Sequence, residues 1–108
     1  MILTHPEREQ LELATVLHAL SDPVRLGIVA ALAADGEERT CGSFDVSVSK
    51  STCTHHFRVL REAGLIHQRQ QGTTRLNTLR RDDLERGFPG LLDTVLAAAQ
   101  AGGRSPTQ

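Results

Sequence analysis

Between Ser49 and Ile66 the apolar and polar positions separate onto two faces of one predicted helix. Cys53, Phe57 and Leu60 recur at i, i+4 and i+7, the stripe of a helix packed on a core. Lys50, Thr54, Arg58 and Arg61 recur at i, i+4, i+8 and i+11 on a different stripe, with Ser51 and His55 beside it. Glu62 is the one acid there, near the end. Ser49 is placed to cap the helix N-terminus and Gly64 to end it in the left-handed conformation. A face of this kind is either simply solvated or offers cations to phosphates and short hydrogen-bonding groups to base edges in a major groove.

The next segment favours the second reading. His67 to Leu79 forms two polar, strand-like runs around a Gln-Gly turn, with arginines in both arms. A cationic hairpin directly after a basic helix reads as a wing that tracks the DNA backbone.

Upstream, Pro6 with Glu7 and Glu9 predicts a helix start. Leu11, Leu13, Ala14, Val16, Leu17 and Leu20 spread a wide apolar surface along that helix. It meets either the chain's own core or, in part, a partner chain. Ser21-Asp22-Pro23 stops this helix and caps the next, whose inward stripe is Val24, Ile28, Ala31 and Leu32, with Arg25 off it. Asp35-Gly36 closes it. Thr40 to Val46 has room only for a short helix anchored by Phe44 and Val48. Arg80 to Leu84 reads as a polar lead-in, and Pro89 interrupts before a last helix from about Gly90 to Ala101. That helix carries two apolar stripes, Leu91, Val95, Ala98 and Leu92, Leu96, Ala99, too many for an outer helix of a monomer. Composition predicts a disordered tail over 102–108, leaving one domain over 1–101.

The run SKSTCTHHFRVLREAGLI followed by QGTTRLNTL resembles the recognition helix and wing of the ArsR/SmtB family of bacterial winged-helix repressors. HALSDPVRLGIVAAL, from His18 to Leu32, resembles that family's second signature. Together they cover most of residues 18–80. The resemblance implies a mainly helical fold with a small β-hairpin wing: four helices, two strands and a fifth helix. It makes the 40–46 segment the first helix of the helix-turn-helix, shorter than the family's usual one. It also implies a homodimer through the first and last helices, and a repressor.

The net charge of −1 does not oppose DNA binding once it is divided along the chain. Residues 1–40 carry −4, residues 42–81 carry +5 and residues 82–108 carry −2. Binding follows the local patch. No apolar run is long enough to span a bilayer and no leader is visible, so the expected location is cytoplasmic. The two cysteines are then expected to be reduced.

Metal chemistry has few donors. Where relatives hold a Cys-x-Cys pair, this chain has Cys41-Gly42-Ser43, and one thiolate does not close a zinc-type site. The family's site on the last helix begins Asp-x-His, but Asp93 is followed by Thr94-Val95. Adjacent His55 and His56 point about 100° apart on a helix and cannot chelate one ion. His56 is expected beside the core and His55 toward DNA; Cys53 is expected to pack as a small hydrophobe. Cys41, His5 and His18 remain as donors for a transition metal or thiol sensor unlike the family's. No phosphate loop, carboxylate pair or triad spacing supports an enzyme. With three Phe and no Tyr or Trp, single-strand stacking is also disfavoured.

The reading is a winged helix-turn-helix regulator of double-stranded DNA. Lys50, Ser51, Thr52, Thr54, His55, Arg58 and Arg61 form the groove face, and Arg69 and Arg75 the wing contacts. The alternatives are the sensor just described, and a regulator that needs a partner protein to hold DNA.

Overall fold

The computed structural model describes residues 3–36, 38–40, 43–44 and 49–104, with backbone only at 35, 50 and 102–104. The chain opens with a 3-10 turn at Arg8–Gln10, closed by a reciprocal cap between Glu7 and Gln10. It continues as α1 (Leu13–Leu20), α2 (Pro23–Asp35), β1 (Arg39–Thr40) and α3 (Lys50–Ala63). Then come β2 (Ile66–Gln71), β3 (Thr74–Leu79), α4 (Arg81–Gly87) and α5 (Leu91–Arg104). The strands make one antiparallel sheet in the order β1-β3-β2.

The helix expected from Pro6 is broken. Leu11 and Glu12 are extended, with ψ of 134° and 133°. The break lets the Leu11 side chain lie directly over Gly64, in the space a Cβ would fill. α1 therefore starts at Leu13 and buries Val16, Ala19 and Leu20. Leu13 and Leu17, one turn apart, stay 47% and 43% exposed.

The junction that follows is built as its residues dictate. Asp22 Oδ2 accepts from the Val24 and Arg25 amides at 2.9 and 3.1 Å, and Pro23 fills the first helical position. Ile28, Val29 and Leu32 are buried. Arg25, expected off the inward stripe, is buried at 7% exposure. Its Nε donates to Ala19 O at 2.7 Å and its Nη2 to His18 O at 3.4 Å. The buried charge satisfies the Ala19 carbonyl, which Pro23, four residues on and without an N–H, cannot serve, while His18 O also accepts from the Ser21 amide and hydroxyl.

Gly36, at φ 66°, ends α2. Thr40 then belongs to a strand and not to the short helix expected over 40–46; Cys41, Gly42 and residues 45–48, with the Val48 anchor, lie outside the described residues. Phe44 is buried as expected, tilted against Phe57 at 5.5 Å, with the Arg39 guanidinium 4.4 Å above its ring.

Two further elements depart from expectation. Arg81–Gly87 is a helix, not a polar lead-in: Asp82 and Asp83 occupy its first turn and Leu84 is buried. Arg80 holds its start, pairing with Asp83 at 3.0 Å and donating to Pro6 O at 2.8 Å. α5 runs past Ala101 to Arg104, so the described part of the expected tail is helical. Leu92 is buried, and Leu91, Val95 and Leu96 pack on the core beside it. Among the described residues no single helix is long and apolar enough to cross a membrane.

Candidate nucleic-acid interface

α3 is positioned from both ends and from behind. Ser49 Oγ accepts from the Thr52 amide at 3.2 Å, and Gly64 leaves the helix at φ 87°. Phe57, Leu60 and Ala63 are buried, with Cys53 and Val59 half-buried against the core. His56 is buried, as expected, and its Nδ1 accepts from Arg25 Nη1 at 3.2 Å. Since an arginine only donates, Nδ1 is the acceptor in this contact. Asp22 Oδ2 stands 3.9 Å from the same Nδ1. Burial works to raise the Asp22 pKa, but the Arg25 and Val24 amides and the nearby His56 and Arg25 side chains outweigh it and hold the carboxyl low.

The opposite side of α3 is open. Ser51, Thr52, Thr54, His55 and Arg58 are exposed together on it. The hydroxyls of Ser49, Ser51 and Thr52 cluster at its N-terminal end, 2.9 and 3.3 Å apart. Lys50 opens the helix, but its side chain lies outside what is described. Arg58 forms no ion pair among the described residues. Arg61 leaves this face. Its Nη1 donates to Gln68 Oε1 at 2.7 Å, and its buried Nε has no partner among the described residues. The i+11 spacing put it on the stripe, but the guanidinium reaches back to the sheet.

The hairpin turns at Gly72-Thr73, with Gly72 at φ 63°. Arg75 Nε donates to Gln70 Oε1 at 3.2 Å across the strands. Arg69 is held more firmly, donating from Nε and Nη2 to the Glu38 carboxylate at 2.7 and 2.8 Å and from Nη1 to Gln71 at 3.0 Å. The Arg69 hydrogen bond pushes the Glu38 pKa down and Glu38 pushes that of Arg69 up. The wing therefore offers Arg75 more readily than Arg69.

Three working residues were not singled out by sequence reading. Gln68 and Asn77 are 2% and 0% exposed and bond each other at 2.7 Å. The signal was present: Gln68 follows Ile66 by two, on the inward side of the strand. Arg25 is the third.

Of the donors considered for a metal, Cys41 lies outside the described residues and His18 is exposed on α1. His5 stacks on His67 at 4.4 Å and 12°, and its Nε2 lone pair accepts from the Gln68 amide at 2.9 Å. Among the described residues no three of His, Cys, Asp and Glu come together as a metal site.

An exposed polar helix seated on a helical body and followed by a twisted hairpin defines a winged helix-turn-helix. Residues 20–69 match the family described as "Helix-turn-helix domain". The chain is 38% identical over 84 residues to the uncharacterized HTH-type transcriptional regulator YceK of Bacillus subtilis, spanning 76% of this chain and 84% of that one. It is 31% identical over 67 residues to a cadmium resistance transcriptional regulatory protein CadC homolog of Staphylococcus aureus, spanning 61% and 55% of the two chains. Its fold superposes on the ArsR family transcriptional regulator RHA00566 with a TM-score of 0.61 at 21% identity, over 93% of this chain and 100% of that one. The transcriptional repressor BigR from Xylella fastidiosa gives 0.58 at 23% identity, over 82% and 79%. The chain belongs with the HTH-type transcriptional regulators that YceK represents, and it shares the fold of the ArsR family regulator RHA00566. These relatives are described as transcriptional regulators or repressors.

Proposed function

We propose that this regulator acts as a homodimeric repressor on an inverted-repeat operator, with α3 in the major groove. The observation that carries the reading is the open face of α3. Ser51, Thr52, Thr54, His55 and Arg58 stand exposed together, and Arg58 has no internal counter-ion among the described residues. Lys50 joins this face by helical spacing, and Arg75, with Arg69 once Glu38 releases it, follows the backbone. Arg61 supports the wing base, and its direct contribution to DNA is small. The repressor sense is supported by the likeness to BigR.

The dimer is supported by α1 and α5. Leu13 and Leu17 are the exposed large hydrophobics among the described residues. α5 keeps Ala97 and Ala98 outward while Leu92 is buried. Pairing these helices across a two-fold axis sets the two copies of α3 on half-sites about one or two helical turns apart.

The test is binding of the purified chain to DNA from its own promoter region across a salt series, with stoichiometry by sedimentation. Two chains per site and an affinity that falls with salt are expected. A 1:1 complex overturns the dimer, and no binding directs attention to a partner protein. Repeating the titration with divalent metals and a thiol oxidant reads whether either releases the DNA.

A further inference from the structure

At the point where the wing leaves the body, one residue from each strand lies side by side: Gln68 faces Asn77, and Asn77 faces Arg39. Gln68 and Asn77 are both buried and both polar. Inward of this row, Ile66 is fully buried; outward of it, every residue of β2 is exposed. Gln68 is therefore the last anchor of β2 before the wing is on its own.

The anchor is made of hydrogen bonds running in one direction. Arg61 Nη1 of α3 donates to Gln68 Oε1 at 2.7 Å. Gln68 Nε2 donates to Asn77 Oδ1 at 2.7 Å. Asn77 Nδ2 donates to Arg39 O at 3.1 Å. β2 is an edge strand, and the Gln68 amide finds its acceptor in His5 Nε2 at 2.9 Å. A leucine at 68 would fill the same space with no directional demand. A buried primary amide has an acceptor and a donor on opposite branches, and only one placement of helix and strand satisfies both.

We propose that Gln68 is the positioning residue that sets the angle between the recognition helix and the wing, through the Arg61–Gln68–Asn77 relay. The relay holds the wing ready before DNA arrives, so the wing's phosphate contact carries no ordering cost at binding. The proposal rests on the DNA reading above only for its consequence in binding; the geometry itself is testable without DNA.

The test compares the wild-type chain with Gln68→Met, a near-isosteric change that removes both side-chain bonds. Residual dipolar couplings on the DNA-free protein report the orientation and order of β2–β3 relative to α3. The expected result is one ordered orientation in the wild type, and a hairpin with reduced order against an unchanged α3 in the variant. Equal order and orientation in both overturn the relay, whatever the variant does to thermal stability. Where Gln68→Met does not fold, Gln68→Glu keeps an acceptor for Arg61 and loses the donor to Asn77. Intermediate order is then expected, and wild-type order overturns the proposal. On promoter DNA, Arg75→Ala is expected to cost about five- to tenfold in the wild type and under about twofold after Gln68→Met, because coupled residues are not additive. An equal cost in both backgrounds overturns the relay. No cost in the wild type removes the wing contact instead, and the couplings alone then decide.

Discussion

The Arg25 guanidinium lies against the His56 ring, Nη1 to Nδ1 at 3.2 Å, and so ties the end of α1 and the start of α2 to the recognition helix. One side chain satisfies two carbonyls of α1 and one imidazole of α3, all close to the Asp22 cap. Replacing it with Met takes the Arg25 donors from Ala19 O and His56 Nδ1, while His18 O keeps the Ser21 amide and hydroxyl. Arg25→Met is expected to lose about 2–3 kcal/mol of stability by urea unfolding. Arg25→Lys is expected to recover little, because an ammonium cannot span the three acceptors in one plane. Wild-type stability in both would show that the cluster is dispensable.

Gly64 is required for two reasons at one position. Its φ of 87° is left-handed, and a Cβ there would run into Leu11 Cδ2 and Cγ. Gly64→Ala is expected to cost about 2–4 kcal/mol, more than the strain of the backbone alone. Adding Leu11→Ala should recover part of that loss, which a thermal-melt double-mutant cycle would read.

The His5 contact gives a pH dependence whose sign can be worked out. Burial comes first, then the charges of His67, Arg61 and Arg80, in lowering the His5 pKa from its ordinary 6.5, while a backbone bond at Leu3 opposes them. Only the neutral ring accepts from the Gln68 amide. A folded pKa below the unfolded one means the contribution is complete above pH 6.5 and is lost as pH falls through the folded value. The wild type is expected to lose stability on acidification from about pH 7 to 5 faster than His5→Gln, whose amide oxygen accepts without titrating. Parallel curves would mean His5 does not report on folding.

Much of this was legible before any coordinates. Ser49, Gly64, Asp22, Pro23 and Gly36 act through neighbours a few residues away, so their types announce the helix ends they make. β1 was not legible, because two residues become a strand only by pairing with Asn77 and Leu76, far along the chain. α4 was missed for a related reason: it is short, and its one buried residue is Leu84. The site divides the same way. Ser51, Thr54, His55 and Arg58 follow from helical spacing. Arg61, Arg25, Gln68 and Asn77 do not, since a polar residue reads as solvated until its buried partners are in view.

Glu38 pairs with both Nε and Nη2 of Arg69, at 2.7 and 2.8 Å. Glu38→Gln removes the charge and is expected to tighten promoter DNA binding and to steepen log K against log salt by up to about 0.9, one added phosphate contact. The effect should vanish in Arg69→Ala. An unchanged slope would place Arg69 off the DNA.

The open face of α3 is proposed to read DNA. The most direct measurement of this is the affinity of wild type and Arg58→Ala for promoter DNA and for a scrambled duplex, at fixed salt. Arg58→Ala is expected to lose about 1–3 kcal/mol on the promoter site, with its fold intact. Wild-type affinity in a folded Arg58→Ala variant would put the contact surface elsewhere.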